Sequence, residues 1–269
     1  MLNKDLGEDA LHFFSDEMAS QKSSMIAHNK VYISREQQEK IGEARILLAG
    51  AGISSIIAES LVRIGFKNFT VIERGLVELS NLNTQNYTYD DIGKAKVDAL
   101  FKRLKNINPL ANIRIENILL TEENVRQYIL NHDIAINTID FKSNLPFIFD
   151  EICWEENIPV LHPYNFGWAS ALLVFMPKGE TLYLIEPYCN NFEQTVVKYV
   201  IKYCKTYLDS EVCWLQHALK KNADEQIIQL PLQLSVGSSF AAALCTRVAC
   251  CITLNKPVKS FPEIYYCGT

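Results

Sequence analysis

No two cysteines in this chain are spaced as CxxC, although it holds eight of them. That excludes the usual zinc-ribbon spacing, so no zinc site is expected, and the thiols are read as reduced, buried small hydrophobes. No basic stripe occurs either, and the formal net charge is −5. Polymers rich in phosphate are held by clustered Lys and Arg, so nucleic acid is not an expected partner. Residues 1–24 are mixed and acidic and lack the apolar stretch of a secretory signal. The longest apolar runs, such as 169–176, are strand-length and short of a membrane span. A cytoplasmic location with no membrane partner is the resulting expectation. What remains is a chain of 269 residues, 48% hydrophobic and 21% charged, the balance of an ordinary globular protein.

Strands and helices alternate along the first two thirds. Residues 1–42 read as an N-terminal helical segment: Leu11, Phe13 and Phe14 suit a short helix, and Ser34 with Gln37 has capping-box spacing ahead of a helix over 36–41. Residues 43–165 form the core. Arg45–Ala49 is an apolar run that stops at Gly50, a helix follows over Ser54–Ile64, and a second strand covers 69–72. That is a β-turn-α-β unit of crossover size. Helices over 94–105, 122–130 and 147–156 then alternate with strands over 112–118, 134–138 and 159–162. The fold class is α/β: a Rossmann-like, mostly parallel sheet with helices on both faces.

Residues 166–269 read as an antiparallel extension of the same domain. Runs at 169–175 and 181–185, joined by Pro177-Lys178-Gly179, suggest a hairpin. A helical insertion covers about 190–230, a helix rich in small residues follows over 234–254, and a terminal strand lies at 263–267.

The chemistry gathers at Leu47-Leu-Ala-Gly50-Ala-Gly52-Ile-Ser-Ser55, where a strand turns into a helix. Glycine there permits positive φ and lets a phosphate approach the backbone at a helix N-terminus. Two of the three fingerprint glycines are present, and Ser55 holds the third position. Glu73 ends the second strand about twenty residues later, where an acid accepts hydrogen bonds from ribose hydroxyls. To this point NAD and ATP fit equally well.

Further on lie Val77-Glu-Leu-Ser-Asn81-Leu-Asn83-Thr-Gln85 and Asp91-Ile-Gly93-Lys-Ala-Lys96. With the glycine turn and the strand-end acid, these resemble the signature of the ThiF/MoeB/HesA family within the ubiquitin-activating (E1-like) adenylyltransferase superfamily. The likeness runs in register from Arg45 to Asp140 and more loosely to Cys267. It implies that Gly50, Gly52, Glu73 and Arg74 bind ATP, that Asn81, Asn83 and Gln85 line the phosphate channel, and that Lys96 neutralises the triphosphate. Asp140, after the fourth strand, would hold Mg2+. The implied reaction activates the C-terminal carboxylate of a ubiquitin-like protein or peptide as an acyl-adenylate, and a homodimer is implied too.

Three departures accompany the likeness. Ser55 replaces a glycine, Thr84 stands where the family has a phosphate-contacting arginine, and His28 stands where a second arginine is expected. Losing two fixed cations weakens triphosphate binding, with Arg35, Arg74 and Lys94 as compensating candidates. A second reading follows, a degenerate member acting as a binding or dimerisation partner. A third, an NAD-dependent oxidoreductase, leaves Lys96 and Asp140 without work. Cys189, Cys204 and Cys213 are candidates for an acyl-carrying nucleophile, which requires thiolate character and exposure.

Overall fold

A computed structural model describes residues 25–186, 192–208, 212–225 and 233–268. The strands are β1 (Arg45–Ala49), β2 (Asn68–Ile72), β3 (Asn112–Glu116), β4 (Ile134–Asn137), β5 (Val160–Asn165), β6 (Ser170–Phe175) and β7 (Ile264–Cys267). They form one sheet in the order β3-β2-β1-β4-β5-β6-β7. The first five are parallel, β6 runs antiparallel to β5, and β7 runs antiparallel to β6. The strand order reverses between β1 and β4, which opens a crevice at the carboxyl ends of those two strands, where ligands of open α/β sheets bind.

The helices are α1 (Arg35–Glu43), α2 (Ser54–Ile64), α3 (Lys96–Ile107), α4 (Val125–Ile129), α5 (Leu145–Glu155), α6 (Phe192–Tyr203), α7 (Cys213–Glu225) and α8 (Ser235–Thr253). Alternate strand residues serve opposite cores. Ile46, Leu48, Ile134, Ile136, Leu161, Leu172 and Val174 pack with apolar residues of α1, α2, α3 and α8. Leu47, Ala49, Ala135, Val160, Leu173 and Phe175 pack on the other face with α4, α5 and α6. A one-residue slip in any of these strands would exchange the two faces, so the pattern sets the register. The α/β, mostly parallel architecture read from the sequence is the one observed.

Helix α1 starts where Ser34 accepts the Gln37 amide and the Gln37 side chain accepts the Ser34 amide, the box predicted from their spacing. The N-terminal apolar residues Leu11, Phe13 and Phe14, and Cys189, lie outside the described residues. Two expectations are corrected. Residues 181–185 form no hairpin strand; Leu182–Leu184 is a single 3-10 turn, and β6 pairs with β5 and β7 instead. Leu182 is buried in the α5/α6 core while Tyr183 and Leu184 are exposed, so the run meets a helical layer, with no strand edge beside it. The apolar runs are also not all strand-length, since α8 is long and apolar enough by length and composition to cross a membrane. In the fold it packs on α2, β5 and β6.

Candidate functional site

The crevice is built around Gly50, whose φ of +105° is closed to most side chains. Its amide donates to Ile72 O at 2.9 Å, tying the turn to β2. A Cβ on Gly50 would stand 2.5 Å from Thr138 Oγ1 and 3.0 Å from Thr138 O. Thr138 in turn donates through Oγ1 to Ala49 O at 2.9 Å and meets Ser54 Oγ at 2.8 Å. The first residue after β4 is thus locked against the turn after β1.

Glu73 closes the other side. Its Oε2 accepts the Ala51 amide at 3.2 Å, and Oε1 accepts the amides of Arg74 and Gly75 at 2.8 and 2.7 Å. A carboxylate has about four lone-pair sites, so acceptor capacity remains after these three bonds. Lys96 begins α3 and donates its amide to Gly75 O at 3.0 Å. A Cβ on Gly75 would lie 3.1 Å from Glu73 Oε1 and 3.7 Å from Lys96 Cδ, so acid and lysine stem meet over this glycine. No ion pair engages the Lys96 ammonium among the described residues. Gln85 reaches the glycine turn as well, with Nε2 3.5 Å from where a Gly52 Cβ would be. Its Oε1 is buried and has no hydrogen-bond partner among the described residues, an acceptor awaiting a donor.

The segment after Asn81 is held from three sides, by Ser55 and by two groups that motif reading passed over. Ser55 Oγ donates to Gly52 O at 2.7 Å and accepts the Asn86 amide at 2.9 Å. Tyr87 donates to Ala51 O at 2.7 Å; burial, then the nearby Glu73 charge, pushes its phenol well above the usual range, so it stays a donor. Ser238 Oγ, from α8, donates to Thr84 O at 2.8 Å. The serine at the third fingerprint position therefore exchanges a close helix packing for two hydrogen bonds.

Other expected residues are less engaged. Asn81 Oδ1 accepts the Glu78 amide at 3.0 Å and shapes a 3-10 turn. Asn83 and the Arg74 side chain are exposed. Thr84 is 8% exposed, so the position where the family resemblance implies an arginine is turned inward. His28 is exposed in the 3-10 turn Ala27–Val31. Of the compensating candidates, Arg35 pairs with Glu39 and Lys94 with Asp91, which leaves Arg74.

Asp140 stands three residues beyond the end of β4, not at it, is largely exposed, and pairs with Lys142 at 3.0 Å. Its turn is set from below. Asn137 Oδ1 accepts the Ile139 amide, Glu193 of α6 accepts the Phe141 amide, and the Phe141 ring packs on Phe147 and Phe192. Asn137 also donates to Asp150 Oδ1 at 2.9 Å, which accepts from His162 Nε2 at 2.8 Å, all three side chains being buried. The lone acid in the apolar run Phe147-Ile-Phe-Asp150 was the available sign of this cluster.

One of the cysteine candidates is corrected. Cys204 is buried and desolvation pushes its thiol up to about 11, so it presents no thiolate. Cys213 is exposed at the start of α7.

Metal fit follows from the donor set. Among the described residues no three His, Cys, Asp or Glu side chains converge. A single accessible carboxylate such as Asp140 suits Mg2+, which is commonly held by one or two carboxylates with substrate phosphates and water completing the octahedron.

Comparison with known proteins gives the same outline. The sulfur carrier protein ThiS adenylyltransferase of Bacillus subtilis is 35% identical over 145 residues, 52% of this chain and 43% of that protein. The sulfur carrier protein adenylyltransferase of Thermus thermophilus is 32% identical over 110 residues, 40% of this chain and 41% of its own length. The chain thus spans about two fifths of these relatives. The crystal structure of Escherichia coli MccB with ATP superposes with a TM-score of 0.63 at 17% identity, covering 87% of this chain and 65% of MccB, which shows a shared fold. The ThiF family profile matches residues 27–254, most of the described sequence, and the chain belongs to the ThiF family.

Proposed function

We propose that the chain is an ATP-dependent adenylyltransferase that activates the C-terminal carboxylate of a ubiquitin-like protein or peptide. The observation that carries this is the meeting of Glu73 and Lys96 over Gly75, beside the Gly50–Gly52 turn. Glu73 keeps acceptor capacity for ribose hydroxyls. The turn lets phosphate oxygens approach backbone amides, and Gln85 offers its amide at the same wall. Asp140 would hold Mg2+ once Lys142 gives way, and the ion would supply charge neutralisation to the phosphates. In the reaction a carboxylate oxygen forms a bond to the α-phosphorus. The bond from that phosphorus to the bridging oxygen breaks, and pyrophosphate leaves with the electron pair. Lys96 stabilises the charge that develops, so catalysis is positioning and electrostatics.

An ATP–pyrophosphate exchange assay with candidate carrier proteins and peptides tests this. Exchange by the wild type and a loss of at least a hundredfold in Lys96→Ala are expected, and equal exchange by both would remove Lys96 from its role. The inward-turned Thr84 and the Asp140–Lys142 pair favour a second reading, a family member that binds partners without turnover. Calorimetry separates the two: micromolar ATP binding supports the enzyme, and no binding at millimolar ATP supports the partner. A homodimer belongs to the proposal through the family resemblance, and light scattering reads its mass directly. NADH titration tests the oxidoreductase alternative, for which a lysine beside Glu73 has no task.

A further inference from the structure

The crevice has a second wall that the nucleotide reading leaves without a role. Asn165, the last residue of β5, is 2% exposed. Its Nδ2 donates to Leu234 O and to Ser238 Oγ, each at 2.8 Å, and its Oδ1 accepts the Gly167 amide at 2.8 Å. Ser238, fully buried in the first turn of α8, donates its own hydroxyl hydrogen bond to Thr84 O at 2.8 Å. A hydroxyl has one proton, so the direction is fixed: Asn165 donates to Ser238, and Ser238 donates to Thr84. The run joins segment 81–85 to the turn between β5 and β6.

The approach that makes this possible depends on Gly237. A Cβ there would fall 2.1 Å from Asn165 Oδ1 and 2.7 Å from Gly167 O. The start of α8 is therefore wedged between segment 81–85 and the turn after Asn165. On the far side, Phe166 is buried and donates its amide to Ala169 O, while Trp168 stands 58% exposed. Since β5 is parallel to β1 and β4, this turn lies at the same end of the sheet as Gly50.

We propose that Ser238 and Asn165 are positioning residues that hold segment 81–85 and the Trp168 turn as one body across the crevice. A ligand seated against Gln85 is then felt at Trp168. The functional part of this rests on the nucleotide reading; the mechanical part does not.

Hydrogen exchange on the full chain tests the mechanical part, comparing wild type, Ser238→Ala and Thr246→Ala. Thr246 is a second buried hydroxyl of α8, without a hydrogen-bond partner among the described residues, so its loss is the control. Ser238→Ala should speed exchange on the order of tenfold at both 84–87 and 167–169, as expected when a buried carbonyl loses its donor. Thr246→Ala should change neither. Acceleration at one segment alone, or equally in the control, overturns the proposal. Should Ser238→Ala fail to fold, Ser238→Cys keeps the volume while weakening both bonds, and the same two segments must respond.

Emission tests the functional part, with Trp168 isolated as the difference between wild type and Trp168→Phe. Saturating ATP-magnesium should shift Trp168 emission in wild type, and the shift should fall severalfold in Ser238→Ala although ATP still binds. A full shift in Ser238→Ala, or none in an ATP-binding wild type, overturns the coupling. No ATP binding by wild type overturns the nucleotide reading, and the exchange comparison then decides the strut by itself.

Discussion

Adding one methyl group at Gly50 and, separately, at Gly52 separates the two meanings of a glycine turn. Alanine at Gly50 must hold φ at +105°, a conformation costing an L-residue about 1–3 kcal/mol. Its Cβ would also lie 2.5 Å from Thr138 Oγ1. Thr138 cannot swing away without losing Ala49 O and Ser54 Oγ, so overpacking adds about 1–3 kcal/mol. Gly50→Ala should therefore lose about 2–6 kcal/mol, roughly 4–24 °C in Tm for a chain of this size. At Gly52 a Cβ would be 3.5 Å from Gln85 Nε2, ordinary contact distance. Gly52→Ala should change stability by less than about 1 kcal/mol. Yet that methyl stands where a phosphate would meet the backbone, and ATP affinity should fall at least tenfold, about 1.4 kcal/mol. Thermal melts and calorimetry on both variants read the two effects. A Gly50→Ala protein melting within about 2 °C of wild type would refute the steric reasoning. A Gly52→Ala protein that binds ATP as wild type does would refute the phosphate position.

Tyr87→Phe leaves the Ala51 carbonyl without its donor in a buried site and should cost about 1–3 kcal/mol in urea unfolding. Asp150→Ala removes the acceptor shared by Asn137 and His162 and should cost about 3 kcal/mol, with Asp150→Asn costing clearly less because an acceptor remains. At the opposite end of the sheet the Arg45 guanidinium, by hydrogen bonding, holds the Asp133 carboxyl below its usual range. That stabilisation is present above the unfolded pKa of about 3.9 and lost as pH falls through the lower folded value. The pair is half exposed, so Asp133→Asn should lose no more than about 1 kcal/mol at pH 7 and less as pH falls toward 2, read from unfolding curves at both pH values. Iodoacetamide on the native chain should label Cys213 and spare Cys153, Cys204 and Cys245 until denaturant is added, as peptide mass spectrometry would report.

The sheet was legible because apolar runs of strand length alternate with helical spacing from Arg45 to Asn165, and every strand there except the edge strand β3 buries both faces. The 181–185 run misled because Thr181-Leu-Tyr-Leu-Ile185 has strand composition while its backbone closes a 3-10 turn. A period of two over five residues does not distinguish the two. The fourth strand reads one residue too long, to 138, for a related reason: Thr138 has strand character, but its hydrogen bonds turn back to β1. Glu73 and Lys96 were readable since motif spacing fixes them relative to strand and helix ends. Ser238 and Asn165 were not, because they lie 154 and 81 positions from Thr84, and only the wedge of α8 brings them together.

That wedge also changes what the departures mean. As sequence, Ser55 and Thr84 are losses, a missing glycine and a missing arginine. In the fold Ser55 fastens the glycine turn to Asn86, and Thr84 faces the interior with its carbonyl taken by α8. An arginine at position 84 would have to leave this buried setting to reach a phosphate, so restoring the charge alone should not restore the contact. Thr84→Arg is therefore expected to destabilise the chain by about 2–4 kcal/mol without tightening ATP binding. A variant that keeps its melting temperature and gains affinity would show that the segment can turn outward. The strut through Ser238 would then not be what holds it.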